Sequence, residues 1–415
     1  RRLGAGMAHC VCRLLVVACS LALAASLRSP SPPRLLDELL VEEASEPVGD
    51  IGGHLDLDIA FQILDLAPFR YRVATSRESV VVKLWGPDGF GHILEGHTRP
   101  VRGIEFFPDG ERALTWGLDR TARIWNIDTA EEPLVLRHGG PIEFARIFPR
   151  GDMVVACGTH CGCRVWNVDT GKRVSDFVAK LTRGVELLGS QVILWTEQVT
   201  IWEPATGEQL CQLVGHALPI TFAKVFPGED RIVSGGMDFQ AIIWDVASCG
   251  RLHSLAHSDY VMDAAIVHGG AEVVTISRSR RAMVWSAASG EMKRVLEHDS
   301  MFPLDAFFRI DALPPGDLVA TVSLEGVLLW NASSGEVVHR LRGLPNKTFS
   351  VAASVGGEVM ATCGSGGVAV WDVRTGARLW EVDDATAYDC VVAVGVGSVL
   401  DPMGFGTGLP WNALP

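Results

Sequence analysis

The chain has 415 residues, is 48% hydrophobic, and carries 44 glycines, 12 tryptophans and a formal net charge of −13. That length accommodates one large all-β domain without requiring a second. So acidic a balance speaks against a nucleic-acid groove, which needs a concentrated basic surface.

From Met7 the text reads MAHCVCRLLVVACSLALAASLRSPSPP. Arg13 precedes an apolar stretch from Leu14 to Leu27 that ends among Ala22, Ala24, Ala25 and Ser26. Charge, then apolar run, then small residues is the order of a secretory leader. The run is short for a membrane span, which takes about 20 residues. Residues 1–27 are therefore read as a signal peptide or other targeting leader. A working leader implies the secretory pathway or the exterior, and otherwise the cytoplasm is expected. Membrane attachment follows only if the segment is retained. Residues 28–52 form a linker broken by Pro30, Pro32 and Pro33, followed by a short acidic helix through Leu35, Leu36, Leu39 and Leu40.

From residue 54 onward, short alternating apolar runs are separated by Gly, Pro and Asp, which is the pattern of strands and tight turns. The runs group into units at 54–94, 97–136, 138–177, about 180–213, 216–255, 257–296, 298–340 and about 344–383. A tryptophan marks the third strand of each: Trp85, Trp125, Trp166, Trp202, Trp244, Trp285, Trp330 and Trp371. In four units a histidine stands 28 residues earlier, at His97, His138, His216 and His257. His54 and His298 hold that place at slightly longer spacing, and the units of Trp202 and Trp371 lack it. Self-similarity at about forty residues is the signature of propeller blades.

The two fullest units lie within 96–127 and 213–246. They carry Gly-His, a strand Thr or Ser, a turn Asp and a strand Trp, at His97, Thr115, Asp119 and Trp125, and at His216, Ser234, Asp238 and Trp244. With these residues the chain resembles the WD40-repeat family over residues 53–383. The family's Trp-Asp ending is kept at Trp244-Asp245 and Trp371-Asp372 and varied to Trp-Asn at Trp125, Trp166 and Trp330. The resemblance implies an all-β propeller of four-stranded blades; the eight tryptophans imply eight of them, with seven, the family's commonest number, as the alternative. It also implies that each tetrad is a buried hydrogen-bond network that stiffens a blade. Thr170-Gly171, Thr206-Gly207, Ser289-Gly290, Ser334-Gly335 and Thr375-Gly376 mark hairpin turns after the third strands. Residues 384–415 are read as a C-terminal extension. Its run TAYDCVVAVGVGSVL, 386–400, resembles two more strands that cap the ring, join the weak first blade or begin a truncated unit.

Few residues suggest chemistry. CGTHCGC, 157–163, contains metal-ligand types, but its spacing is no strong zinc pattern. A Cys157–Cys163 disulfide across that hairpin is the better reading in an oxidising compartment. Cys211, Cys249, Cys363 and Cys390 read as scattered strand cysteines. No metal or cofactor is expected. Quinone-dependent dehydrogenases are also eight-bladed and form the competing class, but the Gly-His pairs favour the WD40 resemblance. The expected function is a non-enzymatic scaffold for protein or peptide partners. SRSRR, 277–281, places Arg278, Arg280 and Arg281 together on an otherwise acidic protein, a fit for an acidic partner. Arg99 and Arg102 are weaker neighbours on the same face.

Overall fold

The structure, a computed structural model, describes residues 71–396 apart from 78–79, 87–88, 131–133, 159, 178–180, 279–280, 298–306, 308, 315, 324–325, 342–347, 355, 365–366 and 384–389. The leader, the linker, His54, His298, Ser279 and Arg280 lie outside the described residues, as does the side chain of Trp85.

The described chain forms eight four-stranded antiparallel sheets. Blade five shows the plan: Ile220–Val225, Arg231–Gly236, Gln240–Asp245 and Gly250–Ala256 run from the inside outward in chain order. Seven sheets are built this way from consecutive strands. The inner strand of each touches the inner strand of the next, so the sheets stack around a common axis.

The first sheet is assembled differently. Tyr71–Arg77, Val81–Gly86 and Gly89–Glu95 come from the start of the ring, and Cys390–Val396 from its end. The two ends of the ring pair in register from Tyr71↔Val396 to Arg77↔Cys390. This corrects the boundary read at residue 383. The segment beyond it supplies the missing inner strand of blade one. That strand also touches Val101–Phe106 of blade two and Thr348–Ala353 of blade eight, which closes the circle.

The core lies between blades. Phe107, Leu114 and Trp116 of blade two pack with Ile142, Ala145 and Trp166 of blade three. Equivalent clusters follow between each neighbouring pair up to blades seven and eight, and another joins blades one and two. A single sheet buries little apolar area by itself, and stacking supplies what it lacks.

In five blades the residue after the repeat tryptophan has a local task. Asn126 Oδ1 accepts the amides of Asp128 and Thr129. Asn167, Asp245, Asn331 and Asp372 cap the same turn in other blades. Asp and Asn serve equally because each offers one acceptor oxygen at that reach. Five positions after the tryptophan the backbone is left-handed, with Gly171, Gly207, Gly290, Gly335 and Gly376 at φ 63–79°. Ala130 and Cys249 take that conformation in blades two and five.

Charged side chains line up on the inner strands. Glu105, Arg146, Glu186, Lys224 and Asp311 occupy matching register in blades two, three, four, five and seven. Arg146 lies 3.6 Å from Glu186, and Lys224 lies 3.0 Å from Asp263 of blade six. Burial pushes Glu105 up to about 7, against the lowering pull of Arg146 and of the Ile147 amide. Asp311 belongs to the inner strand Arg309–Leu313 of blade seven.

Candidate functional site

In blade two, Trp125 Nε1 donates to Thr115 Oγ1 at 2.8 Å. His97 Nε2 lies 2.8 Å from the same oxygen, and His97 Nδ1 lies 2.8 Å from Asp119 Oδ2. The hydroxyl accepts from the indole, so its proton goes to Nε2, and Nδ1–H is left to donate to the carboxylate. Asp119 also accepts from the Thr98 amide, the Thr121 amide and the Thr121 hydroxyl. The carboxylate thereby ties the loop entering the blade to the turn between its second and third strands. Burial pulls His97 below its ordinary value, although Asp119 pulls the other way. Burial would raise Asp119, but the Thr121 hydroxyl and His97 outweigh it and hold the carboxyl low.

Blade five repeats the arrangement. Trp244 Nε1 donates to Ser234 Oγ at 2.8 Å, His216 Nε2 is 2.9 Å from that oxygen, and His216 Nδ1 is 2.9 Å from Asp238. Ser, His and Asp at these distances have the connectivity of a hydrolase triad. Access separates the two. Ser234 is fully buried, and its oxygen is already occupied by the indole N–H. The His97 and His216 side chains are 0% exposed, with Asp119 and Asp238 at 2% and 7%. No substrate carbonyl reaches such a hydroxyl.

The other blades vary the network. In blade six, Trp285 and His257 both meet Thr275 Oγ1, at 2.8 and 2.7 Å. His257 Nδ1–H donates to the Leu255 carbonyl at 2.9 Å instead of to a carboxylate. With no charged partner, burial drives His257 down to about 4. In blades seven and eight, Trp330 donates to Thr321 and Trp371 to Thr362. Sequence reading passed over these two threonines because they stand nine residues before the tryptophan instead of ten. In blade three, Ala156 removes the hydroxyl. His138 Nδ1 then lies 3.0 Å from the Gly140 carbonyl, and its Nε2 has no partner.

Blade four departs furthest. Leu194 faces Thr200 across the sheet, so the hydroxyl has moved to the third strand. Trp202 is only half-buried and donates to Thr200 Oγ1 at 2.9 Å. Trp195 of the second strand is the buried tryptophan here, and its N–H finds no acceptor.

The cysteine cluster is not a metal site. Cys157 and Cys163 face each other across the hairpin and are joined by a disulfide. Cys161 is exposed and free. Among the described residues no group of His, Cys, Asp or Glu could hold a metal ion. Cys211 and Cys249 are a correction. They are bonded to each other, linking the outer strand of blade four to the turn of blade five. They are 38 residues apart, and sequence spacing alone carries no pairing information at that distance.

The arginine turn is less uniformly charged than its sequence suggested. Arg281 opens the third strand of blade six and lies 3.3 Å from Glu297 on the neighbouring strand. Arg278 is exposed on the turn, held by its amide to the Tyr260 carbonyl, and has no ion-pair partner among the described residues. Arg102 is paired with Glu143, and Arg99 is exposed.

Stacked four-stranded blades, fastened in blades two to eight by a Trp–hydroxyl–His network or a remnant of one, define a β-propeller whose repeats resemble those of the WD40 family. The WD40 family model, WD domain, G-beta repeat, matches residues 90–126 and 207–245, the two segments that hold the complete tetrads. The chain is 25% identical over 180 residues to pre-mRNA-processing factor 19 of Oryza sativa subsp. japonica, covering 42% of this chain and 34% of that protein. It is 30% identical over 110 residues to WD repeat-containing protein 18 of Danio rerio, covering 23% and 25%. It is 23% identical over 154 residues to autophagy-related protein 16 of Arabidopsis thaliana, covering 36% and 30%. The chain thus spans about a third or less of each of these relatives.

Proposed function

We propose that this protein is a non-enzymatic scaffold that binds protein partners through one edge of its propeller. That edge carries the loops entering the blades and the turns between second and third strands, which the Asp119 and Asp238 bonds hold together. The observation that carries the reading is the confinement of the chemically able groups. Hydroxyl, imidazole and carboxylate are buried and spent on tryptophan N–H groups and loop amides. The fold and the WD-repeat relatives support the same class. The partner chemistry we propose is an acidic peptide, drawn to Arg278, Arg280 and Arg281. A protein of net charge −13 would repel such a partner elsewhere on its surface.

Two experiments test this. Reconstitution with quinone and calcium, followed by dye reduction over an alcohol and sugar panel, should give no turnover. Robust turnover would remove the scaffold reading. The double variant Arg278→Glu with Arg281→Glu should weaken partner binding and flatten its salt dependence. Unchanged affinity and salt slope would move the binding face away from blade six.

A further inference from the structure

Phe239 occupies a place where the fold has no use for a phenyl ring. It follows Asp238 in the turn between the second and third strands of blade five, with φ 66°. Arg120, at the same point of blade two, has φ 67°, so the turn itself imposes the left-handed backbone. Gly or Asn adopts that conformation most easily, and for a bulky residue it is a true outlier. Burial does not compensate, because Phe239 is 45% exposed. The strained backbone is held in place, since the His257 amide donates to the Phe239 carbonyl at 2.8 Å. Conformation and burial both argue against phenylalanine here, which turns attention to binding.

Its surroundings extend the patch. The Phe239 ring lies 5.4 Å from the Tyr260 ring, in the loop entering blade six. On the other side, the Met237 amide donates to the Pro219 carbonyl, bringing the loop of Leu218 alongside, and Leu218 is 49% exposed. The Arg278 amide donates to the Tyr260 carbonyl, which sets the exposed arginine at the far end of the same row. Asp259 is the nearby acid, and its carboxylate is turned onto the Tyr260 amide at 2.7 Å.

We infer that Leu218, Phe239, Tyr260 and Arg278 form a two-part docking site for a linear peptide carrying a large apolar side chain a few residues from an Asp or Glu. The aromatic pair receives the apolar anchor, and the guanidinium receives the carboxylate. Charge complementarity selects this occupant, because Arg281 already has Glu297 at 3.3 Å while Arg278 has no ion-pair partner among the described residues. The inference rests on the scaffold reading and narrows it to one site and one peptide chemistry.

The test is selection of a phage-displayed random peptide library on the immobilised full chain, followed by fluorescence polarisation with the enriched peptides. Enriched sequences should pair Asp or Glu with Phe, Trp, Leu or Ile. Phe239→Asn and Arg278→Glu should each weaken their binding by about tenfold or more, the loss typical of an interface anchor. Phe239→Asn should melt at the same temperature as the parent or higher, because Asn suits the left-handed turn. A fall in its melting temperature would make Phe239 a packing residue and overturn the site. Peptides that bind both variants like the parent would overturn the site and leave the scaffold standing. No enrichment at all would count against both. Capture of phosphatidylserine vesicles that Phe239→Asn abolishes would reassign the patch to a membrane surface and overturn the peptide proposal.

Discussion

At the scale of single residues, the protein uses one device several times and lets it decay. The complete tetrads could be read from sequence because Gly-His, a strand Thr or Ser, a turn Asp and a strand Trp recur at matched positions in two units, and the WD40 resemblance implies how they bond. The replacements were not legible. Nothing local announces that Leu255 offers its carbonyl to His257, or that Thr200 takes over from the second strand in blade four. Removing Trp244 empties a fully buried site and also strips Ser234 of its donor. Trp244→Ala should therefore cost about 3–5 kcal/mol, read as a lowered midpoint in urea. Trp195→Ala should cost a comparable amount, because Trp195 packs in the core between blades four and five. His257 adds a pH dependence. Its folded value near 4 lies below the ordinary 6.5, so the unfolded chain binds the extra proton between the two. The contribution is complete above about pH 6.5 and is lost as pH falls toward 4, on the order of 3 kcal/mol at most. His257→Gln should shrink the drop in urea midpoint between pH 7.5 and pH 5. An unchanged drop would place the dependence elsewhere.

At the scale of the blade, aromatic rings crossing to the inner strand decide where glycine must stand. Gly103 lies opposite Trp116 and Gly184 opposite Trp195 in the strand register. A Cβ on either would sit 2.0 or 1.9 Å from the indole. Strand glycines usually weaken a sheet, and here they make room for a large ring. Gly184→Ala should destabilise by about 1–3 kcal/mol through overpacking. The double variant Gly184→Ala with Trp195→Phe should recover part of that loss, since the smaller ring also removes the unpaired N–H. Thermal melts of the three proteins would show it, and a neutral Gly184→Ala would mean that the ring has another place to go. The turns were the most legible elements, because Thr-Gly and Ser-Gly state their left-handed backbone in the residue itself. Ala130 and Cys249 were the exceptions. Cys249, at φ 53°, is bonded to Cys211 of a neighbouring blade, and no local pattern points there.

At the scale of the whole molecule, the open question in the sequence was where 386–400 belongs, and the answer is set by geometry at the axis. A strand pairs with whatever edge is free, and period and composition do not say which edge that is. After blade eight the free edge is that of Tyr71–Arg77, more than three hundred residues earlier in the chain by the numbering. Cys390–Val396 covers it with seven paired residues and at the same time fills the gap between the inner strands of blades eight and two. Without this strand, blade one keeps three strands and presents an uncovered backbone edge, which invites pairing with another chain. The two neighbouring blades also lose the face they pack against. Since the net stability of a domain is only about 5–15 kcal/mol, a loss spread over three blades should exceed it. A chain ending at residue 385 should therefore be largely unfolded or aggregated, seen as a broad, non-cooperative melt by circular dichroism and early elution on size exclusion. Supplying the 386–400 peptide in trans should restore part of the cooperative transition, whereas a peptide of the same composition in scrambled order should not. A truncated protein that melts like the full chain would mean that the ring is held by its other interfaces alone and that the strand pairing of the two ends is dispensable.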